Sequence, residues 1–132
     1  MLRAWDELNG VMHYDFQYIK SGRSSNDWIV FKSDNQKLED KEVLNNPYTS
    51  VRFKIMRATG VKDVDGNLIY EGDKVEFVIY GNKGVRTKTT GVVTYDNDFA
   101  MFIISVSMSG RYGLGVISTQ DDEIEIIGNI YE

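Results

Sequence analysis

The sequence predicts a mainly β protein: a single compact small barrel or pseudo-barrel of short, mostly antiparallel strands with at most one or two short helices. Three observations carry this. The 132 residues include twelve glycines against one proline, with eight tyrosines and six phenylalanines, a composition that favours strands joined by tight turns. In the second half of the chain apolar residues recur at every other position, the period of a strand with one covered face. Turn-forming pairs such as Asn9-Gly10, Asp65-Gly66 and Gly72-Asp73 interrupt the apolar runs at short intervals. A flat sheet of seven or more such strands would leave its edges and one apolar face in water, so the sheet is expected to curl on itself.

The elements follow in order. Leu2 to Trp5 and Val11 to Tyr14 flank Asn9-Gly10 and read as an opening hairpin. Ser21 to Asp27 is polar, hence a loop, and Trp28-Ile29-Val30-Phe31 is an apolar run with the composition of a buried strand. Residues 34–46 lack glycine and carry Gln, Lys, Glu and Leu, which allows a short helix starting near Asp34 or Asp40 and stopped before Pro47. Val51, Phe53 and Ile55 then alternate with Arg52, Lys54 and Met56, a half-buried strand. Asp65-Gly66 supplies a turn before Leu68-Ile69-Tyr70, and Gly72-Asp73 a second one before Val75, Phe77 and Ile79, which alternate with Lys74, Glu76 and Val78. Gly81 to Gly84 is a loop, Thr87 to Tyr95 a threonine-rich strand, Asp96-Asn97-Asp98 a turn, and Phe99 to Met108 a strand. Gly110 to Gly115 reads as a mobile loop, Val116-Ile117 and Glu123 to Ile127 as the last strands, with Gly128 at a bulge or bend.

Residues 1–132 make one domain's length, and no repeat, linker or low-complexity tract divides them. The absence of cysteine removes disulfides, thiolate nucleophiles and cysteine-ligated metal. Arg3, Trp5, Asp6 and Glu7 follow Met1-Leu2 directly, which leaves no apolar core for an export signal. The longest apolar run, Phe99 to Ile104, is too short for a membrane helix, so a soluble protein of a reducing interior is expected. The net charge of -5 is uneven: residues 51–90 carry eight basic and five acidic groups, residues 91–132 one and seven.

The stretch Thr59-Gly-Val-Lys-Asp-Val-Asp-Gly-Asn-Leu-Ile-Tyr-Glu-Gly-Asp-Lys-Val75 resembles the signature of the YopX family of phage and prophage proteins. Arg3-Ala4-Trp5-Asp6, Gly91-Val92-Val93 and the run from Glu125 to Glu132 extend that resemblance to about a third of the chain. Lys20 to Tyr48 lies outside it, and Arg57-Ala58 stands where relatives usually show a Gln-Tyr pair. The resemblance implies a mostly β pseudo-barrel with little helix, a single YopX-like domain over 1–132, a phage or prophage origin and residence in the host cytoplasm. Joined to the lack of any catalytic or cofactor motif, it leads to the expectation of a non-enzymatic protein. Gly60, Asp63, Gly66, Tyr70, Gly72 and Asp73 are then residues of a structural turn motif, with glycine permitting the bend and aspartate capping it.

No catalytic, cofactor or metal residues are expected. His13 is the only histidine, which rules out a multi-histidine centre and leaves a strand-packing or surface role. Asp63, Asp65 and Asn67 suggest calcium, but an EF-hand counted from Asp63 would need glycine at Leu68 and glutamate at Lys74, so a turn in which Asp63 and Asp65 accept backbone N–H groups is expected instead. Glu71, Asp73, Asp121, Asp122, Glu123 and Glu125 show no spacing that selects a glycosidase pair. Gly110 to Gly115 has no Walker lysine and lacks the spacing of a dinucleotide cradle.

Lys83, Arg86 and Lys88 beside Tyr80 and Tyr95, with Arg52, Lys54 and Arg57 on another strand, have the composition by which small barrels hold single-stranded nucleic acid. The acidic whole-chain charge opposes that reading. The function expected from sequence is therefore a non-enzymatic accessory protein acting through protein–protein contacts or self-association, through exposed strand edges and uncovered tyrosine or methionine surface. A small-barrel nucleic-acid-binding module using Lys83, Arg86, Lys88 and Tyr95 is the alternative.

Overall fold

The computed structural model describes residues 1–14, 16–19, 28–31, 41–43, 53–107, 110–115 and 124–132. They form twelve β-strands and, among the described residues, almost no helix. No helix among them is long and apolar enough to cross a membrane. The chain divides into two compact units, Met1–Met56 and Arg57–Glu132.

In the first unit β1 (Leu2–Asp6) and β2 (Val11–His13) pair antiparallel, Ala4 opposite His13 and Asp6 opposite Val11. The expected hairpin is present because Asp6 caps its turn: Gly10 N–H donates to the Asp6 carbonyl at 2.8 Å, and the Asp6 carboxylate accepts from the Leu8 and Asn9 N–H groups at 3.0 and 3.3 Å. β3 (Phe16–Ile19), β4 (Trp28–Phe31) and β5 (Lys41–Val43) form a three-stranded antiparallel sheet in that order. The helix expected over 34–46 is therefore wrong at Lys41–Val43, where pairing with β4 overrides a weak local helix preference. Residues 34–40 and 44–46 lie outside the described residues. Ala4 and Phe53 are buried, with Phe16 and Ile55 packed against them.

β6 (Phe53–Lys62) is longer than its alternating segment, and both Phe53 and Met56 are buried. Met56 was expected to face water; burial at two positions three apart means that the strand is covered on both faces there. Val51 and Arg52 lie outside the described residues.

In the second unit, the later part of β6 pairs with β7 (Leu68–Tyr70) across a bulge between Ala58 and Lys62. β8 (Asp73–Tyr80), β9 (Arg86–Asp96), β10 (Met101–Val106), β11 (Gly110–Gly113) and β12 (Glu125–Asn129) make a five-stranded antiparallel sheet ordered β11-β10-β9-β8-β12. Val75, Phe77, Val93, Ile104 and Leu114 fill its core together with Ile69 of β7 and Ile124. The expected alternation holds at Val75 and Phe77, but Val78 is also buried and Ile79 is only half-buried. The expected bulge at Gly128 is present, between Ile126 and Gly128 in the pairing of β12 with β8. Val116 and Ile117 lie outside the described residues.

Two further expectations need correction. Phe99 belongs to a turn, not a strand: Met101 pairs with Asp96, so residues 97–100 must all serve the reversal, with Ala100 at φ 50°. Gly110–Gly113 is a strand and not a loop, because its backbone ladder to β10 runs from Val106↔Gly110 to Ile103↔Gly113 and needs no side-chain alternation.

Candidate functional site

The motif from Thr59 to Asp73 builds the seam of the second unit. Gly60, Gly66 and Gly72 have φ of 82°, 82° and 85°. The buried Asp63 carboxylate accepts three backbone N–H bonds, from Asp65 at 3.0 Å and Asn67 at 2.9 Å on Oδ1 and from Ile126 at 3.1 Å on Oδ2. Beside it Val64 N–H donates to the Ile124 carbonyl at 2.9 Å. Asp65 takes part through its N–H, so Asp63 does the accepting that sequence divided between them. The second corner works alike: Asp73 Oδ2 accepts from Tyr70 N–H at 2.8 Å, Gly72 N–H donates to the Val93 carbonyl and Ile130 N–H to the Gly72 carbonyl. These bonds tie the β6–β7 turn onto the outer edge of β12 and curl the sheet into a half-barrel. At β12, the open edge expected from sequence is therefore covered.

At the β9–β10 end of the same sheet lies a polar cleft of about 360 Å³ lined by Thr94, Asp96, Asn97, Asp98, Ser105 and Arg111, among others. Asp96 ends β9, and its almost fully buried carboxylate accepts from Asp98 N–H at 2.9 Å and from Arg111 Nη1 at 2.9 Å. The pairings of Arg111 with Ser105 and of Ser105 with Val92 put Arg111 on the same sheet face as Asp96 but four positions short of it along β9, and the long arginine side chain covers the remaining distance. Burial pushes the Asp96 carboxyl up, but the N–H groups of Asp98 and Phe99 and the Arg111 guanidinium outweigh it and hold the group below its ordinary range. A carboxylate so held is a poor proton acceptor; what it does well is fix Arg111, whose side chain is 62% exposed at the cleft. The same turn carries Phe99, 71% exposed. Sequence reading passed over this pair, although Arg111 is the sole basic residue of 91–132 and acidic partners abound there.

The basic residues are only partly gathered. Tyr80 and Arg86 are opposite each other at the β8–β9 tip, with the Arg86 guanidinium 5.6 Å from the ring centroid, and Lys83 is in the connecting turn at φ 63°. Lys88 Nζ pairs with Glu76 at 3.2 Å. Tyr95 is nine positions beyond Arg86 on the same strand, about 30 Å away at ~3.3 Å per residue. Its ring is covered by Arg57, 4.3 Å from the centroid, and meets Phe102 edge-on. Arg57 also ion-pairs with Glu71. Lys54 is half-exposed on β6, and Arg52 lies outside the described residues.

His13 packs edge-on against Phe53 with Nε2 3.5 Å from Asp6 Oδ2, a strand-packing position. Among the described residues no three His, Asp or Glu side chains converge as metal ligands. Asp121, Asp122 and Glu123 lie outside them; Glu125 is exposed and opposite Glu76.

A family model described as YopX protein matches residues 1–132, including the segment Lys20 to Tyr48 that carries no recognisable motif. Comparison with curated proteins gives no match. Among solved structures, the crystal structure of protein EF1440 from Enterococcus faecalis is similar, with a TM-score of 0.56 and 21% identity over 99% of this chain and 92% of that one. At that identity the likeness is one of fold.

Proposed function

The chain belongs to the YopX family, and on that premise we propose that it is a non-enzymatic accessory protein of phage or prophage origin, working in the host cytoplasm through protein–protein contacts or self-association. The observation that carries this is the exposed Arg111 side chain, held by the buried Asp96 carboxylate at a polar cleft, together with the exposed Phe99 on the turn that follows Asp96. A lone exposed aromatic is ordinary on a protein surface. Aromatic residues and arginine are enriched at interfaces, and an arginine restrained by a buried carboxylate has part of its side-chain entropy already lost before docking. The low proton affinity of Asp96 supports a binding role over acid–base chemistry.

The test is paired. Affinity capture from phage-infected cells with the unaltered chain and with the Phe99→Ala/Arg111→Ala variant should recover a partner, or a second copy of the chain, that the variant loses. Sedimentation reads self-association directly. A strictly monomeric protein that captures nothing, or a partner retained in full by the variant, overturns the proposal.

A further inference from the structure

The β8–β9 hairpin outruns its neighbours. β12 pairs with β8 no further along than Glu76, and β10 pairs with β9 only from Val92 on, so beyond those points no third strand is paired to the hairpin among the described residues. From Lys83 to Lys88 every residue is exposed, which for consecutive strand positions means that both faces stand in solvent. Over Phe77 to Tyr95 the sequence carries Lys83, Arg86 and Lys88 and no carboxylate. Glu76, at the base, pairs with Lys88 and stands opposite Glu125. The charge carried by the sequence between Phe77 and Tyr95 is thus wholly positive.

We infer that this ribbon tip binds the major groove of duplex DNA. Two antiparallel strands about 4.8 Å apart fit a groove about 12 Å wide, and Arg86 and Lys88 on β9 with Lys83 in the turn line one side of the ribbon, where they meet the phosphates of one groove wall. A duplex suits the tip better than a single strand. Base stacking needs a row of open aromatic faces, whereas Tyr80 is taken by Arg86 and Tyr95 by Arg57. The contacts are to backbone phosphates, so binding is weak, independent of sequence and sensitive to salt.

The experiment is fluorescence anisotropy of the full chain with a labelled 20-base-pair DNA duplex and with the single strand of the same length. Neutralising about three phosphates predicts a loss of affinity of roughly forty-fold between 50 and 200 mM salt. Lys83→Gln/Arg86→Gln should weaken duplex binding about tenfold at 50 mM salt with no change in melting temperature, while Lys62→Gln, on exposed β6 surface, should leave it unchanged. No anisotropy change at 100 µM protein and 50 mM salt, equal binding by the ribbon variant, or a single strand bound as tightly as the duplex would each overturn the inference.

Discussion

The N–H of Ile126 donates to the carboxylate of Asp63 at 3.1 Å, joining residues 63 positions apart in sequence. That bond converts a local turn into a fastening between the β6–β7 hairpin and the strand at the far edge of the sheet. Because the same carboxylate also accepts from Asp65 and Asn67, its orientation is fixed before Ile126 is engaged.

Asp63→Ala should therefore destabilise the protein by about 3 kcal/mol, since three backbone donors lose a charged acceptor and two of them belong to a tight turn. Asp65→Ala and Asn67→Ala, at positions that serve through backbone N–H groups, should cost under about 0.5 kcal/mol. Urea unfolding of the three variants distinguishes a capping carboxylate from a generally acidic loop.

Gly72 has φ 85° with both its N–H and its carbonyl bonded, to Val93 and Ile130. A β-branched residue resists that conformation and cannot relax without breaking one of those bonds. Gly72→Val is expected to cost about 1–3 kcal/mol, and Gly72→Asn, which tolerates positive φ, clearly less. Thermal unfolding of the pair measures the difference.

Gly91 is a matter of space. A Cβ there would come within 2.6 Å of Ile104 Cγ2 and 2.8 Å of the Ser105 carbonyl oxygen, and the latter is backbone that cannot step aside. Gly91→Ala should destabilise by about 1–3 kcal/mol. In a double-mutant cycle with Ile104→Ala, which removes that Cγ2 methyl, the coupling should offset the cost of Gly91→Ala only in part, since the clash with Ser105 remains; full offset would count against this account.

Asp96 gives a pH dependence with a definite sign. Its carboxyl in the folded protein ionises below the ordinary value of 3.8, so the unfolded chain takes up the proton first as acidity rises. The stability it contributes is complete above the unfolded value and is lost as pH falls through the folded one. Arg111→Gln should lower the melting temperature at neutral pH, where that contribution is complete, change it little at pH below the folded value, where Asp96 is protonated in both proteins, and so make the acid limb shallower. Asp96→Asn should flatten that limb.

Much of this architecture is legible from residues alone, and the exceptions have common causes. Val75 and Phe77 declare their inward face by alternation, and Asp65-Gly66 and Gly72-Asp73 announce corners that the backbone adopts. Val78 and Met56 do not fit, because alternation assumes one wet face and both residues sit where the strand is covered twice. Gly110–Gly113 and Lys41–Val43 are strands by virtue of a neighbour's ladder, a tertiary cause that no local preference encodes. The Asp96–Arg111 pair is hidden for a related reason. Fifteen positions separate the two residues, and two successive strand pairings give them a common face while the arginine's length closes the offset that remains.

The fastening of Ile126 to Asp63 also sets an order of events during synthesis. The carboxylate can be presented early, but its last donor is delivered only after the intervening chain has emerged and the sheet between has been laid down. Until then the ribosome carries a half-finished sheet with one margin open to other nascent chains, and closing it is the step that ends that exposure.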